Sequence, residues 1–111
     1  MKHFAVLATF IAIVSLAARA PLAHAAEGGG GAKVAIADFA FAPETITIAA
    51  GESVTWINND GAPHALEYRD GAKGSDLLLP GASVTRRFDR PGTYDYNCSV
   101  HPYMTGRVVV R

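Results

Sequence analysis

Short segments of this chain alternate apolar and polar residues, the pattern of strands with one buried face. In residues 53–58, for example, Val54 and Trp56 fall on one face, with polar residues on the other. Similar signals predict strands over residues 33–38, 45–48, 82–88, 93–98 and 107–111, with a short apolar piece at 77–79. Turn residues separate these segments, and no segment keeps a helical period. We therefore expect an all-β sandwich of about seven to eight short strands.

Arg86 departs from this alternation. It lies in phase with Val84 and Phe88, where an apolar side chain is expected. Two explanations stay open at this point: a β-bulge shifts the register, or the arginine stem packs inside while its charged head reaches water.

The N-terminal segment, residues 1–25, has the pattern of a secretory signal peptide, with Lys2 before an apolar run of 15 residues and small residues up to a cleavage site after Ala25. The apolar run is shorter than the roughly 20 residues of a membrane-spanning helix, so an uncleaved anchor is only the alternative. Residues 26–32 form a flexible glycine-rich lead-in, and 33–111 form one domain. We expect an exported, periplasmic protein with no stable membrane insertion.

Composition narrows the possible functions. The 111 residues carry ten basic and ten acidic side chains, so no basic excess indicates nucleic-acid binding. A single cysteine excludes an internal disulfide, a multi-cysteine zinc module and a CxxC redox pair. Beyond the leader, the only thiol, imidazole and thioether side chains are those of His64, Cys98, His101 and Met104.

These four residues have the spacing of a metal centre. Cys98, His101 and Met104 follow C-x2-H-x2-M at the end of a predicted strand, and His64 lies in an earlier loop. A β-sandwich gathers its loops at its two ends, so all four side chains can converge. One thiolate, two imidazoles and a weak thioether are the ligands of blue-copper electron-transfer sites.

The sequence resembles the small cupredoxins, the amicyanin-like and plastocyanin-like blue copper proteins. The similarity runs from about Val34 to Val110, and its most specific stretches are residues 51–59, 62–65 and 91–106. The two-residue gaps on both sides of His101 resemble the amicyanin-like members more closely. The resemblance implies a cupredoxin-type Greek-key β-sandwich.

The resemblance also implies one type 1 copper ion that cycles between Cu(I) and Cu(II). His64, Cys98 and His101 would be its strong equatorial ligands and Met104 its weak axial ligand. Much of the family has an asparagine after the first histidine that ties the two ligand loops together, whereas this chain has Ala65. Asn97 and Ser99 are the candidates to replace that contact.

Three strong ligands and one weak one leave no open position for a substrate, so we expect an electron carrier and not an enzyme. Its partners would be redox proteins, and the resemblance suggests a dehydrogenase donor and a c-type cytochrome acceptor. We expect a monomer that docks through an apolar patch near Pro63, His101, Pro102 and Tyr103.

Three other readings use the same residues. A periplasmic copper chaperone or buffer would hold the metal loosely at an accessible site. A cysteine hydrolase would use Cys98 as nucleophile, although the sequence offers no helix N-terminus to activate it. Zinc could also occupy the same ligands.

Overall fold

The computed structural model describes residues 31–111, so the predicted signal peptide and most of the predicted lead-in lie outside the described residues. This part of the chain forms eight strands and no helix. The strands are β1 (Ala32–Ala37), β2 (Ala40–Ala42), β3 (Thr45–Ile48), β4 (Ser53–Asn58), β5 (Leu66–Tyr68), β6 (Ser83–Arg87), β7 (Gly92–Cys98) and β8 (Thr105–Val110). The predicted all-β sandwich is confirmed.

Two four-stranded sheets make up the sandwich. One has the order β2-β1-β4-β6 and the other the order β3-β8-β7-β5. The pairs β1/β4 and β3/β8 are parallel, and every other pair in the two sheets is antiparallel. Strand β7 runs from one end of the sandwich at Gly92 to the other at Cys98, so the predicted ligand loop begins at that second end.

The core lies between the sheets because the strands alternate as their sequences indicate. Val34, Trp56 and Tyr96 are among the side chains buried there. Gly106 in β8 lies against the ring of Tyr96, and a Cβ at this position would overlap the ring. Close packing of the large Tyr96 ring therefore requires glycine at position 106.

Two strands were not predicted. β2 and β5 have three residues each, which is too short to display a period of two. The apolar piece at 77–79 is not a strand in the sheets; instead Leu78 makes an isolated antiparallel bridge with His64. β1 begins at Ala32, one residue before the predicted strand.

Arg86 is explained by packing, not by a bulge. Its pairing with Val54 belongs to an unbroken β4/β6 register. The guanidinium carbon lies 4.4 Å from the ring centroids of both Tyr68 and Phe88, and Nη2 donates to Asp70 Oδ2 at 2.7 Å. The head therefore covers aromatic rings and pairs with a carboxylate while its side chain keeps 21% exposure.

Within residues 31–111, no helix is long and apolar enough to cross a membrane.

Candidate metal centre

His64 is held in place by its backbone and by a carboxylate. Its N–H donates to the Leu78 carbonyl at 3.1 Å, and the Leu78 N–H donates back at 2.6 Å. The imidazole is completely buried, and its Nε2 lies 2.8 Å from Asp60 Oδ2. With the proton on Nε2 donated to Asp60, the lone pair of Nδ1 is free to bind a metal.

Cys98 ends β7 and is completely buried. Its Sγ lies 3.7 Å from His64 Nδ1 and 3.8 Å from His101 Nδ1. The three donor atoms of His64, Cys98 and His101 all lie within 4.8 Å of one another. The fold thus brings together the three residues that the sequence predicted as equatorial ligands.

Met104 closes the loop that begins at Cys98. Its carbonyl accepts from the Cys98 N–H at 2.9 Å, and its own N–H donates to the His101 carbonyl, also at 2.9 Å. The Met104 side chain is 2% exposed and belongs to the core cluster that includes Cys98. These two hydrogen bonds bring the loop back to the strand end beside the thiol.

The two ligand segments are joined without an asparagine. The N–H of Ser99 donates to the carbonyl of Ala65 at 2.9 Å, so Ser99 supplies the link through its backbone and not its hydroxyl. Asn97 contributes differently, because its side chain donates to Glu67 Oε2 at 3.2 Å and to the Cys98 carbonyl at 3.1 Å.

The donor set fits a copper ion. Metal–sulfur and metal–nitrogen bonds of about 2.3 and 2.05 Å at 120° place the two donor atoms about 3.8 Å apart, close to the 3.7 and 3.8 Å measured from Cys98 Sγ. A thiolate, two imidazoles and a thioether match the ligand preferences of Cu(I) and Cu(II). These residues could hold the ion without a large rearrangement.

Asp60 is a residue of the site that the sequence analysis missed. Burial by itself would raise the pKa of its carboxyl, but hydrogen bonds donated by the Phe39 N–H, the His64 ring and the Asp38 N–H outweigh this effect and lower the pKa. The carboxylate thus stays charged beside His64. Its spacing of four residues before His64 was the available signal.

Phe39 is the second missed residue. It belongs to the short connection between β1 and β2, yet its ring contacts both histidines edge to face, with centroids 5.4 Å from His64 and 5.1 Å from His101. Nothing in the local sequence indicates this contact, because Phe39 lies far from both histidines along the chain.

Exposed large hydrophobic side chains gather around these ligands. Among the described residues, those with the largest exposure are Phe39, Leu77, Leu79, Val100 and Tyr103. Phe39 and Tyr103 pack near His101, Val100 precedes it, and the two leucines flank the Leu78 bridge to His64. We call this group the apolar rim.

Comparison with known proteins gives a consistent result. The family model described as a cupredoxin-like domain matches residues 5–110. Amicyanin-alpha of Methylorubrum extorquens is 37% identical over 111 residues, covering 96% of this chain and 93% of the relative. Plastocyanin of Tetradesmus obliquus is 40% identical over 84 residues, covering 64% of this chain and 58% of the relative.

Solved structures agree with the sequence relatives. The Cu(I) form of a single-substitution variant of amicyanin superposes with a TM-score of 0.71 at 33% identity, covering 74% of this chain and 83% of that one. The copper cofactor expected from the sequence is consistent with this fold and with the donor set. The chain belongs to the cupredoxin family.

Proposed function

We propose that this protein is an electron carrier that holds one type 1 copper ion through His64, Cys98, His101 and Met104. The observation that carries the proposal is the convergence of the Cys98 Sγ and two imidazole Nδ1 atoms within 4.8 Å. Bound copper supplies a centre that gains and loses one electron. The protein contributes a fixed set of donors, so little rearrangement accompanies each transfer.

The burial of the ligands supports a carrier over the alternatives. Cys98 and His64 are completely buried, so a substrate cannot reach the thiol as a hydrolase requires. A chaperone needs ligands that a recipient can reach, whereas here only His101 is partly exposed among the three. We therefore favour electron transfer without catalysis by this chain itself.

The apolar rim is the proposed docking surface. It surrounds His101 and adjoins the exposed residues Pro63 and Pro102, which the sequence predicted as part of the patch. A partner seated there would approach the edge of His101. A carrier must release its partner quickly, which suits a small contact burying less than about 1,200 Å² in total.

We propose that the protein works in the periplasm as a monomer after cleavage near Ala25. The resemblance to amicyanin-like proteins suggests a dehydrogenase as electron donor and a c-type cytochrome as acceptor. Both partners are redox proteins that would dock in turn on the apolar rim.

Visible absorption tests the ligand assignment. Cu(II)-loaded protein should show an intense thiolate-to-copper charge-transfer band that disappears on reduction and returns on oxidation. Cys98→Ser should abolish the band, whereas Ser99→Ala, which keeps the backbone link to Ala65, should retain it. A band that survives Cys98→Ser would show that the thiol is not a ligand.

Copper retention tests the carrier against the chaperone. A carrier should keep Cu(I) during dialysis against a chelator of modest affinity and should cycle repeatedly without loss. Rapid release together with a colourless Cu(II) form would support the chaperone or buffer. Metal analysis of protein purified without added metal addresses zinc.

A further inference from the structure

The turn between β1 and β2 is strained. Its two central residues, Asp38 and Phe39, have φ values of 52° and 55°, and they connect the paired residues Ala37 and Ala40. Two-residue hairpins with positive φ at both centres strongly favour Asn-Gly, because glycine adopts this conformation without steric cost. Phe39 occupies the position that usually holds glycine, which points to a role for its side chain.

Asp60 holds this turn in place. Its Oδ1 accepts from the Asp38 N–H at 2.6 Å, and its Oδ2 accepts from the Phe39 N–H at 3.0 Å. The same Oδ2 accepts from His64 Nε2 at 2.8 Å. One carboxylate therefore connects the strained turn to a buried histidine.

The turn directs the Phe39 ring toward the second histidine as well. The Phe39 and His101 rings are perpendicular, with an interplanar angle of 90°. His101 has no carboxylate partner comparable to Asp60 among the hydrogen bonds of the described residues, and it lies in a loop at the surface. Its orientation thus depends on packing against three rings, those of Phe39 and His64, with centroids 5.1 Å away in both cases, and that of Tyr103, with its centroid 6.1 Å away.

We propose that Asp60 and the Asp38-Phe39 turn form a clasp that orients both imidazoles, with Asp60 fixing His64 directly and His101 through the Phe39 ring. Phe39 is thus a positioning residue, and the backbone strain at residue 39 is the cost of placing an aromatic ring at the site. This inference rests on the proposed ligand assignment, because it explains how two of those ligands stay oriented.

The clasp has consequences for both stability and metal retention. Phe39→Gly removes the ring and relieves the positive φ, so the metal-free variant should unfold at the same or a higher temperature than the parent protein. Loss of an edge-to-face aromatic contact should nevertheless speed Cu(I) release to a chelator by about three- to tenfold. Phe39→Leu keeps an apolar side chain but loses the aromatic ring, so its rate of Cu(I) release should lie between those of the parent protein and Phe39→Gly.

Nuclear magnetic resonance of the reduced, copper-loaded protein gives a readout that does not depend on electron transfer. The ring protons of His101 should shift on Phe39→Gly because the ring current of Phe39 is lost. Asp60→Ala should shift them too, although Asp60 does not touch His101, whereas Asp70→Ala removes a carboxylate elsewhere and should leave them unchanged.

A double substitution tests the connection itself. Asp60 could affect His101 through the Phe39 ring or through the His64 ring, which also packs against His101. The clasp assigns the effect to Phe39, so in the Phe39→Gly background Asp60→Ala should no longer move the His101 resonances. Equal Asp60→Ala shifts with and without the Phe39 ring would overturn the clasp. Unchanged copper release in Phe39→Gly, or a metal-free Phe39→Gly that unfolds at a much lower temperature, would also overturn it.

The two proposals fail in different ways. If the ligand assignment is wrong, the parent protein lacks the charge-transfer band or keeps it after Cys98→Ser. If only the clasp is wrong, the band behaves as proposed while Asp60→Ala moves the His101 resonances equally with and without the Phe39 ring.

Discussion

The metal end and the opposite end of the sandwich use the same kinds of side chain in opposite arrangements. At the metal end, the charged Asp60 lies inside against His64, and the hydrophobic apolar rim faces outward. At the opposite end, which we call the distal end, the rings of Phe88 and Tyr94 pack together, and the guanidinium of Arg86 covers them from outside. The first arrangement leaves a surface to be reached by a partner, and the second closes the core.

This contrast separates function from stability within a small domain. Substitutions at the distal end should change the free energy of unfolding but leave the metal centre intact. Substitutions in the apolar rim should change the unfolding free energy little, because exposed side chains contribute little to folding. They should instead affect electron transfer at the metal end.

The largest effect should come from the metal itself. At free copper concentrations of 1,000 times Kd, bound copper should stabilise the parent protein by about 4 kcal/mol, and Cys98→Ser should lose most of that increment. Arg86→Ala should keep the whole increment while starting from a lower baseline. Thermal unfolding with and without copper measures the metal-free baseline and the increment from copper. If the two variants reduce the increment equally, the proposed difference between the metal end and the distal end is wrong.

Alkaline pH should weaken the protein through two buried tyrosines. Burial raises the pKa of Tyr68 to about 12, although the charge of Arg86 pulls it down, and burial also raises the pKa of Tyr96 to about 12. Unfolded tyrosines ionise near pH 10, so this stability is complete below pH 10 and is lost as the pH rises toward 12. Ionisation of each tyrosine should lower the free energy of unfolding by up to about 3 kcal/mol between pH 10 and pH 12.

Tyr96→Phe is the variant that checks this expectation. It should flatten the fall of unfolding free energy between pH 10 and pH 12, measured by urea denaturation at each pH. An identical pH profile for the variant would show that Tyr96 ionisation does not contribute.

Arg86→Ala should lower the free energy of unfolding by about 1–3 kcal/mol, because it removes contacts with aromatic rings and the pair with Asp70. Arg87→Ala is the matched control. Arg87 is the next residue and also pairs with an aspartate, but its side chain is 67% exposed, so its loss should cost about 0.5 kcal/mol or less. If urea denaturation shows equal losses of unfolding free energy for the two variants, the contacts of Arg86 with the aromatic rings do not stabilise the distal end.

The smallest effect on stability belongs to the apolar rim. Leu77→Ser and Leu79→Ser replace side chains that are 54% and 58% exposed, so each should change the unfolding free energy by less than about 0.5 kcal/mol. If copies of the protein exchange electrons through this surface, the self-exchange rate measured by line broadening should fall several-fold. An unchanged self-exchange rate in a variant that carries both Leu77→Ser and Leu79→Ser would exclude these leucines from the docking surface.

The sequence predicted the candidate metal ligands better than the residues that hold those ligands in place. Cys98, His101 and Met104 are rare residue types at a diagnostic spacing, so composition and spacing were enough to single them out as candidate ligands. Phe39 acts through contacts with segments distant along the chain, which no local pattern reveals, and the only local signal for Asp60 was its spacing of four residues before His64. The strained turn is hidden for a related reason: Asp-Phe is not a sequence that signals positive φ.

The same limit applies to the fold. Long alternating segments such as β4 were recognised, whereas the three-residue strands β2 and β5 depend on their neighbours for hydrogen bonds. Arg86 left two explanations open because its contacts with Tyr68 and Asp70 come from a segment distant along the chain. Only tertiary packing decides between a bulge and a covered guanidinium.

The hydrogen bond from the Ser99 N–H to the Ala65 carbonyl has a consequence for how such proteins diversify. A hydrogen bond between main-chain atoms can form with any residue type at either position, except for proline at the donor position 99. Position 65 can therefore change its side chain over generations while the two segments remain attached, which allows mutation to adjust the surroundings of the centre gradually instead of dismantling it.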